Sequence, residues 1–503
     1  MTERKLKNHE LRRARRLVIT DGTLGALNGQ LTAGILLVKL ATEMGADAAQ
    51  IGIMLAIPQF VSSLQILSSW LLSRTGDPRR VAILFQFLHR LVWMSLGLAT
   101  LVLMKPGMKG PVWALIIANG FSAFCAQMAL VAWYTWVAEL APVRFWGRFL
   151  GRKNMIALLF SLPVGLGAGF FVDWWFSVMP KGDLRGLGAM AVLGSSLGLT
   201  GVWFLSRVPR VTLAQPTSSM PFQDALRAAL ADASFRRLAL TRCWIMFFVQ
   251  VAAPMWQFYA LKVIGVPVLI MKIWENISNL SNAGGNRLCG RLADHYGYRP
   301  VAILFCIGMG TIPVWWILVR PGAWEVTLGS GSFLIPFYWI AVLSSIVGSF
   351  SWSGVNLCAS NLALKLARRE HRSTYVALFQ AAFGITGGCG ALIGAWIVDL
   401  AKKGLRPEEI ALAFQLVFLL SAIGRWAAMI GLASVREPDA APVGRLAASL
   451  GRDPLGLRAG KQPVQGARGA APPAGLALPV PTPSPVPGPD LPAPGKEPRE
   501  NRA

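Results

Sequence analysis

Residues 290–300 read GRLADHYGYRP and lie directly between two long, mostly apolar segments of the chain. Arg291, Asp294 and Arg299 give this short stretch several charges. The segment that follows, VAILFCIGMGTIPVWWILV at 301–319, contains none. A short charged connection between two such segments is typical of a loop at the membrane surface that joins two spanning helices.

The composition of the whole chain agrees with that interpretation. Of 503 residues, 54% are hydrophobic and only 15% are charged, and the mean hydropathy is +0.50. The apolar residues come in runs of about 20, the length that crosses about 30 Å of hydrocarbon as a helix. We therefore predict an all-α polytopic membrane protein with twelve transmembrane helices. The expected spans are 17–40, 48–72, 79–103, 111–140, 152–178, 185–207, 238–264, 267–289, 299–320, 332–364, 374–400 and 408–434.

The charge distribution predicts how these spans are oriented. The net charge is +25, and Lys and Arg cluster in every second connection, as they do in cytoplasmic loops. This bias predicts both termini in the cytoplasm and a multi-pass protein of the cell inner (plasma) membrane. Because no soluble basic domain is visible, the charge does not indicate a nucleic-acid partner.

The longest internal connection divides the spans into two halves that repeat. GFFVD ends at Asp173 and AWIVD ends at Asp399, 226 residues later. Two corresponding six-span halves indicate a parallel duplication about an axis normal to the membrane. Fifteen of the 32 prolines lie beyond residue 435, so the end of the chain is expected to be disordered. The predicted parts are a basic cytoplasmic N-terminal segment 1–16, the halves 17–207 and 238–435, a central cytoplasmic loop 208–237 and a Pro-rich cytoplasmic tail 436–503.

The stretch GRLADHYGYRP resembles the G-x-L-A-D-x-x-G-R-[RK] signature of the major facilitator superfamily, which lies in the loops between spans 2 and 3 and spans 8 and 9. The resemblance covers residues 17–434 and implies two six-helix pseudo-repeats that move a small solute by alternating access. It also implies that Asp294 binds the cytoplasmic start of span 5, near 151–154, when the cytoplasmic side is closed. We call this contact the latch. The alternative is that these charges only fix the orientation of the spans in the membrane.

The same signature assigns a set of latch-loop residues in both halves. The first-half copy, SRTGDPRR at 73–80, departs from the signature because Ser73 stands at the Asp position. Asp77 can supply the missing carboxylate, but from a different position in the loop. The latch is therefore predicted to differ between the two halves. The candidate latch-loop residues are Gly290, Arg291, Asp294, Gly297, Arg299, Gly76, Asp77, Arg79 and Arg80.

The resemblance also implies that spans 1, 4, 7 and 10 line a central cavity, flanked by spans 2, 5, 8 and 11. Polar groups inside hydrocarbon are costly and usually face such a cavity. Aromatic faces beside amide and hydroxyl groups favour an uncharged or weakly polar solute. The candidate cavity residues are Asn28, Gln127, Trp133, Trp136, Gln250, Trp256, Gln257, Trp352, Asn356 and Gln380.

Two acidic residues inside the predicted spans are candidates for coupling to a proton or cation. Glu275 lies near the middle of span 8 and Asp21 near the cytoplasmic end of span 1. A buried carboxylate needs protonation or a cationic partner, which is what coupling requires. The alternatives are that Glu275 is an internal hydrogen-bonded core residue and that Asp21 is solvated.

The sequence therefore predicts a monomeric secondary active transporter of a small solute, coupled to a proton or cation gradient, with export favoured over import. It is not expected to be an enzyme, and no cofactor or metal site is indicated, since the chain has no nucleotide-binding loop and no Cys or His pair at ligand spacing. The alternative is a non-transporting membrane scaffold or sensor with the same fold.

Overall fold

The protein is described here from a computed structural model, and it is almost entirely helical. The structure describes residues 8–104, 108, 110–138, 140, 143–180, 182–209, 227, 231–328, 331–366, 372–406, 409–437 and 440–452. Most of the predicted central loop, the first seven residues and the tail after residue 452 lie outside these ranges, so the expectations for them stay predictions.

The first half of the chain forms eight helices that run back and forth in antiparallel fashion. They are α1 (Asn8–Thr32), α2 (Ile35–Glu43), α3 (Ala48–Ser62), α4 (Gln65–Thr75), α5 (Pro78–Leu103), α6 (Val112–Ala138), α7 (Val143–Val178) and α8 (Arg185–Ser206).

The second half forms six further long helices, a short terminal one and a small β-ribbon. Its helices are α9 (Ala233–Phe258), which continues as a π-helix (Tyr259–Ile264), α10 (Val268–Tyr296), α11 (Tyr298–Leu318), α12 (Ala341–Leu366), α13 (Arg372–Lys403), α14 (Ile410–Ser434) and α15 (Val443–Arg452). The side where α1 begins and α14 ends is called the terminal face below, and the other side the opposite face.

Ten helices of the described residues are long and apolar enough to cross a membrane. This makes the chain a multi-pass membrane protein. Two predicted spans fall outside the ten. Span 2 is divided into α3 and α4, and span 8 is the continuous but more polar helix α10, which carries Lys272 and Glu275.

Two of the predicted spans are interrupted inside the fold. Span 1 breaks between α1 and α2 at Gly34, whose φ of 60° is accessible to glycine at little cost. Span 2 breaks between α3 and α4, where the hydroxyls of Ser62 and Ser63 donate to the carbonyls of Gln59 and Phe60. These side-chain bonds compete with the helical ladder at the break.

The two halves pack chiefly within themselves and meet along two helix pairs. In the first half, α1 packs on α7 and α8, and α5 packs on α6 and α8. In the second half, α9 packs on α13 and α14, and α11 packs on α12 and α14. Between the halves, α3 packs on α13 and α7 packs on α10. Movement of one half against the other would therefore change the contacts within these two helix pairs.

Two segments differ from the sequence-based expectation. Residues 332–336, expected to begin span 10, belong to an antiparallel ribbon in which β1 (Ala323–Leu328) pairs with β2 (Gly331–Pro336). Pro336 ends the ribbon because it lacks a backbone donor, so the fold is not purely helical. The described residues 440–452 of the predicted tail also pack on the fold: the α15 side chain of Leu446 is fully buried, and the Ala441 N–H donates to Tyr296 O.

Candidate functional site

The halves are joined at the opposite face by a carboxylate at a helix N-terminus. Asp173, near the end of α7, accepts hydrogen bonds from the backbone N–H groups of Val268 and Leu269, each at 2.8 Å. These are the first residues of α10, in the other half. Pro267 at the N-cap offers no side-chain acceptor, so Asp173 caps α10 in trans, where the helix dipole favours a negative charge.

A buried polar cluster lies one to two turns further along α10. The Lys272 Nζ, with 1% exposure of its residue, is 2.9 Å from Glu275 Oε2. It is also 3.0 Å from Oε1 of Gln30 in α1, and the Gln30 amide donates to Glu275 at 3.4 Å. Because Gln30 belongs to the first half, this cluster is a second polar link between the halves.

Small residues bring the α3 and α13 backbones close together on the same side of the interface. A methyl group added at Gly52 would collide with Ala395, and one added at Gly388 would collide with the Phe60 ring. Small residues permit this close approach of membrane helices. The opposite-face half of the interface is therefore tightly packed as well as hydrogen-bonded.

The terminal face is different. Asp294 and Arg291 of α10 are exposed, and so are Gly151 and Asn154 of α7. The expectation that residues 151–154 begin this helix is wrong, because α7 begins at Val143. Asp294 forms no hydrogen bond or ion pair with any residue in the described ranges, and a methyl group at Gly151 or Gly290 would meet no atom within 4 Å. The two sides of the predicted latch are thus apart in this arrangement.

The rest of the second-half latch loop forms the joint between α10 and α11. Gly297 ends α10 with φ of 92°, a value that favours glycine. The Arg299 N–H donates to Glu437 at 2.7 Å, and its guanidinium donates to Val435 O at 3.3 Å. Glu437, from the segment after α14, also pairs with Lys365 at 3.0 Å. Arg299 therefore fixes the C-terminal segment to the joint.

The first-half copy forms the corresponding joint with its own residues. Gly76 ends α4 with φ of 62°, and Asp77 caps α5 by accepting from the Arg80 N–H at 3.1 Å. The Arg80 Nε lies 3.1 Å from the same carboxylate. Arg79 donates to the carbonyls of Val208 and Ser206 at the end of α8. In this structure Asp77 serves as a local helix cap.

A cavity of about 400 Å³ lies in the second half, next to α3 of the first. Three of the predicted cavity residues line it, namely Gln250, Trp256 and Trp352. Gln59 of α3 contributes to its wall, as do serines of α10 and α12. Arg425 of α14 also lines it, although the sequence placed that residue on a peripheral span. The volume is in the range of small-molecule sites.

A second cavity, of about 260 Å³, lies in the first half. Asp21, Trp133 and Lys153 line it together with Arg90. The Asp21 carboxylate is 3.8 Å from Arg90 Nη2, and Asp21 is 3% exposed. The solvated alternative for Asp21 is therefore wrong in this structure, because α1, α5 and α7 enclose the carboxylate.

The other predicted cavity residues lie outside both cavities. Trp136 is fully buried and donates to Pro209 O at 3.2 Å, close to the terminal face. Gln127 accepts from Gln65 at 2.8 Å, and Asn356 accepts from Arg242. Asn28 is buried at 2% exposure, and Gln257 and Gln380 are partly buried.

Sequence reasoning missed three residues of these sites. Asp173 was visible only as a landmark of the repeat, since its partners lie 95 and 96 residues away. Lys272 stands three residues before Glu275 on the same helix, a spacing that could have indicated an ion pair. A charged residue inside a span, such as Arg425, generally indicates a functional site. The sequence alone did not show which cavity Arg425 lines.

No family model matches the chain. Solved structures do match its fold. A point mutant of the nucleoside transporter NupG matches with a TM-score of 0.64 at 12% identity, over 84% of this chain and 100% of that one. The xylose transporter XylE from E. coli, in an inward-open conformation, gives 0.59 at 14% identity, over 87% and 99%.

A bacterial homolog of the human lysosomal transporter Spinster, inward-facing and unoccupied, matches with a TM-score of 0.56 at 15% identity, over 85% of this chain and 96% of that one. All three similarities run along nearly the whole length of the matched chains. The fold expected from the latch-loop resemblance is thereby confirmed. The chain therefore has the same fold as these solved transporter structures.

Proposed function

We propose that the protein is a secondary active transporter with twelve spans, in which the halves 17–207 and 238–435 rock about a central site. The observation that carries this proposal is the asymmetry of the interface. Asp173 and the Gln30–Lys272–Glu275 cluster join the halves at the opposite face, while Asp294 and Asn154 are exposed at the terminal face. Such an arrangement is one of the two that alternating access requires.

The charge pattern supports a cytoplasmic terminal face in the inner (plasma) membrane, and hence an inward-open arrangement. Two of the matched transporters were captured inward-open or inward-facing. The latch between Asp294 and residues 151–154 of α7 would form in the other arrangement, when the terminal face closes.

Two distances, one at each face, test alternating access without knowledge of the solute. Spin labels at Asn154 and Arg291 report the terminal face, and labels at Val178 and Lys262 report the opposite face, after replacement of the six native cysteines. A transporter should populate a second state in which the first distance shortens while the second lengthens. A single, unchanging pair of distances under all conditions would instead favour a static scaffold.

For coupling we propose a proton or cation, with Glu275 and Asp21 as the residues that carry it. Each carboxylate faces a buried cation, Lys272 or Arg90, so gain of a proton would release that cation for other contacts. Reconstituted vesicles separate coupling from solute binding. Glu275→Gln and Asp21→Asn should abolish uptake driven by an imposed gradient, yet leave exchange of labelled for unlabelled solute intact. Loss of both activities would mean that these residues serve solute binding or folding.

A further inference from the structure

Arg425 is a fully buried cation at the wall of the second-half cavity. Its two terminal nitrogens donate to the backbone carbonyls of Met309 and Val249, each at 3.3 Å. These bonds hold the guanidinium plane in place but leave its charge uncompensated. Burying an unpaired charge is costly, and the cost falls when an anion pairs with it.

A second buried arginine lies close to the same cavity. Arg242 of α9 is 5% exposed and donates to the amide oxygen of Asn356. Its guanidinium carbon is 5.4 Å from the centre of the Trp352 ring, which lines the cavity. Arg242 does not itself line the cavity but lies behind the Trp352 ring, so Arg425 is the arginine at the cavity wall.

Neither arginine is neutralised by a carboxylate. Within the described ranges no Asp or Glu forms an ion pair with Arg242 or Arg425, whereas Arg90 in the first half is paired with Asp21. Two residues of the cavity wall also have a buried side-chain atom without a hydrogen-bond partner, and both atoms, Arg425 Nε and Trp256 Nε1, are donors. The unpaired polar atoms of this wall are therefore hydrogen-bond donors, which a ligand with an acceptor group would satisfy.

Aromatic faces form the rest of the wall. The rings of Trp256 and Trp316 lie nearly parallel, at 9°, with centroids 6.0 Å apart. Arg425 lies over the Trp256 ring at 5.3 Å. Planar apolar surfaces beside a guanidinium fit a solute that has both an anionic end and a planar apolar body.

We propose that this cavity binds a small organic carboxylate, with the carboxylate at Arg425 and the planar body against the tryptophan rings. The proposal rests on the transporter function given above and names its class of solute. It also replaces the expectation of an uncharged or weakly polar solute, which followed from the aromatic, amide and hydroxyl groups on the spans expected to line the cavity.

Paired probes that differ only in charge test the proposal. The purified full-length protein in detergent is titrated with benzoate, 2-naphthoate and indole-3-acetate, and with the corresponding neutral amides. We expect at least one carboxylate to bind, and its amide to bind weaker by about tenfold or more. This comparison needs no variant, so it holds even if a substitution at buried Arg425 prevents folding.

Variants then locate the binding. Arg425→Gln should abolish carboxylate binding, and Arg425→Lys should retain a weaker affinity, because lysine keeps the charge but not the planar fork. Arg320→Gln, which removes an exposed arginine at the opposite face, is the matched control and should bind as the parent does. Equal affinity for acid and amide, no binding of any of the three acids, or full binding by folded Arg425→Gln would overturn the proposal.

The spin-label distances keep this test separate from that of the proposed function, because they need no solute. If the distances alternate and no acid binds, the solute class is wrong and the transporter stands. If an acid binds but the distances never change, the cavity is a binding site of a static protein.

Discussion

The N-termini of α3 and α10 lie at the same face of the molecule, yet their caps come from different places. Asp47 caps α3 from within its own helix: it accepts from the Gln50 N–H at 2.7 Å, and the Gln50 side chain accepts from the Asp47 N–H at 3.1 Å. The cap of α10 is Asp173, which belongs to the other half. A cap in cis stabilises its helix in every arrangement, whereas a cap in trans stabilises only the arrangement that contains it.

A third helix at this face, α8, also receives a carboxylate from its own approach segment, although its N-cap residue is Leu184. Asp183 precedes α8 and accepts from the Arg185 N–H at 3.0 Å. The hydrogen-bonded Arg185 side chain holds the pKa of this carboxyl below its ordinary value, so the cap stays charged well into the acid range.

Asp399 of α13, the repeat counterpart of Asp173, also lies beside the α3 N-terminus, where the Ala49 N–H donates to it. α3 thus has a cap in cis as well as a carboxylate from the other half, whereas the side-chain cap of α10 comes from the other half alone.

The largest expected effect concerns the cluster beside the trans cap. Glu275→Gln removes the only carboxylate that pairs with Lys272 within the described residues, and Lys272 is 1% exposed. The variant leaves Lys272 with only neutral acceptors, among them the oxygens of Gln30. Because the Glu275 side chain is 31% exposed, the cost is about 1–3 kcal/mol, below that of a fully buried pair. Thermal unfolding of the purified variant in detergent should show a marked loss of stability.

The double variant Lys272→Met/Glu275→Gln provides the control. It removes both charges and should recover most of the lost stability, because a neutral pair has no buried charge to compensate. If the double variant is as unstable as Glu275→Gln alone, the damage comes from packing or from Gln30, and the ion pair is not the stabilising element.

Asp173→Ala should act on the arrangement of the halves more than on the helix itself. Loss of two charge-assisted hydrogen bonds at a helix N-terminus costs about 1–2 kcal/mol, which corresponds to a shift of about 5- to 30-fold in a two-state equilibrium. The labels at Val178 and Lys262 should show a larger population of the long distance. An unchanged distribution would mean that the α3–α13 contact alone holds this face closed.

Asp47→Ala is the matched substitution in cis. It should lower the free energy of unfolding by about 1 kcal/mol while leaving both label distances distributed as in the parent. If the two caps differ as described, Asp173→Ala changes the label distances at the opposite face and Asp47→Ala does not. If Asp47→Ala also opens the opposite face, the distinction between caps in cis and in trans does not hold.

Much of the fold could be predicted from the sequence, and the parts that could not are instructive. The charged stretch around Asp294 correctly indicated a joint near Gly297, because a helix end with its glycine is a local feature. Its extent was wrong: the connection was expected to begin at residue 290, but α10 continues to Tyr296 and includes Asp294.

The run SFLIP at 332–336 was misread as helix, since its hydrophobicity conceals a ribbon that Pro336 ends. Asp173 and Arg425 depend on partners far along the chain, and no local pattern reports those.

The smallest effect is expected for Asp294→Asn, which should shift the populations of the two arrangements in the opposite direction to Asp173→Ala. In this arrangement Asp294 is exposed and bonded to no described residue, so the substitution should leave its stability unchanged. If the latch forms when the terminal face closes, Asp294 meets α7 near residues 151–154, two to three turns inside the helix, and loss of this exposed charged contact removes about 0.2–1 kcal/mol from the closed state. The labels at Asn154 and Arg291 should then show fewer short distances, by a factor of about five at most. Asp173→Ala depopulates the present arrangement, and Asp294→Asn should favour it; the double variant should therefore lie between the two. A distribution for Asp294→Asn identical to that of the parent would leave the loop charges with a role in topology alone.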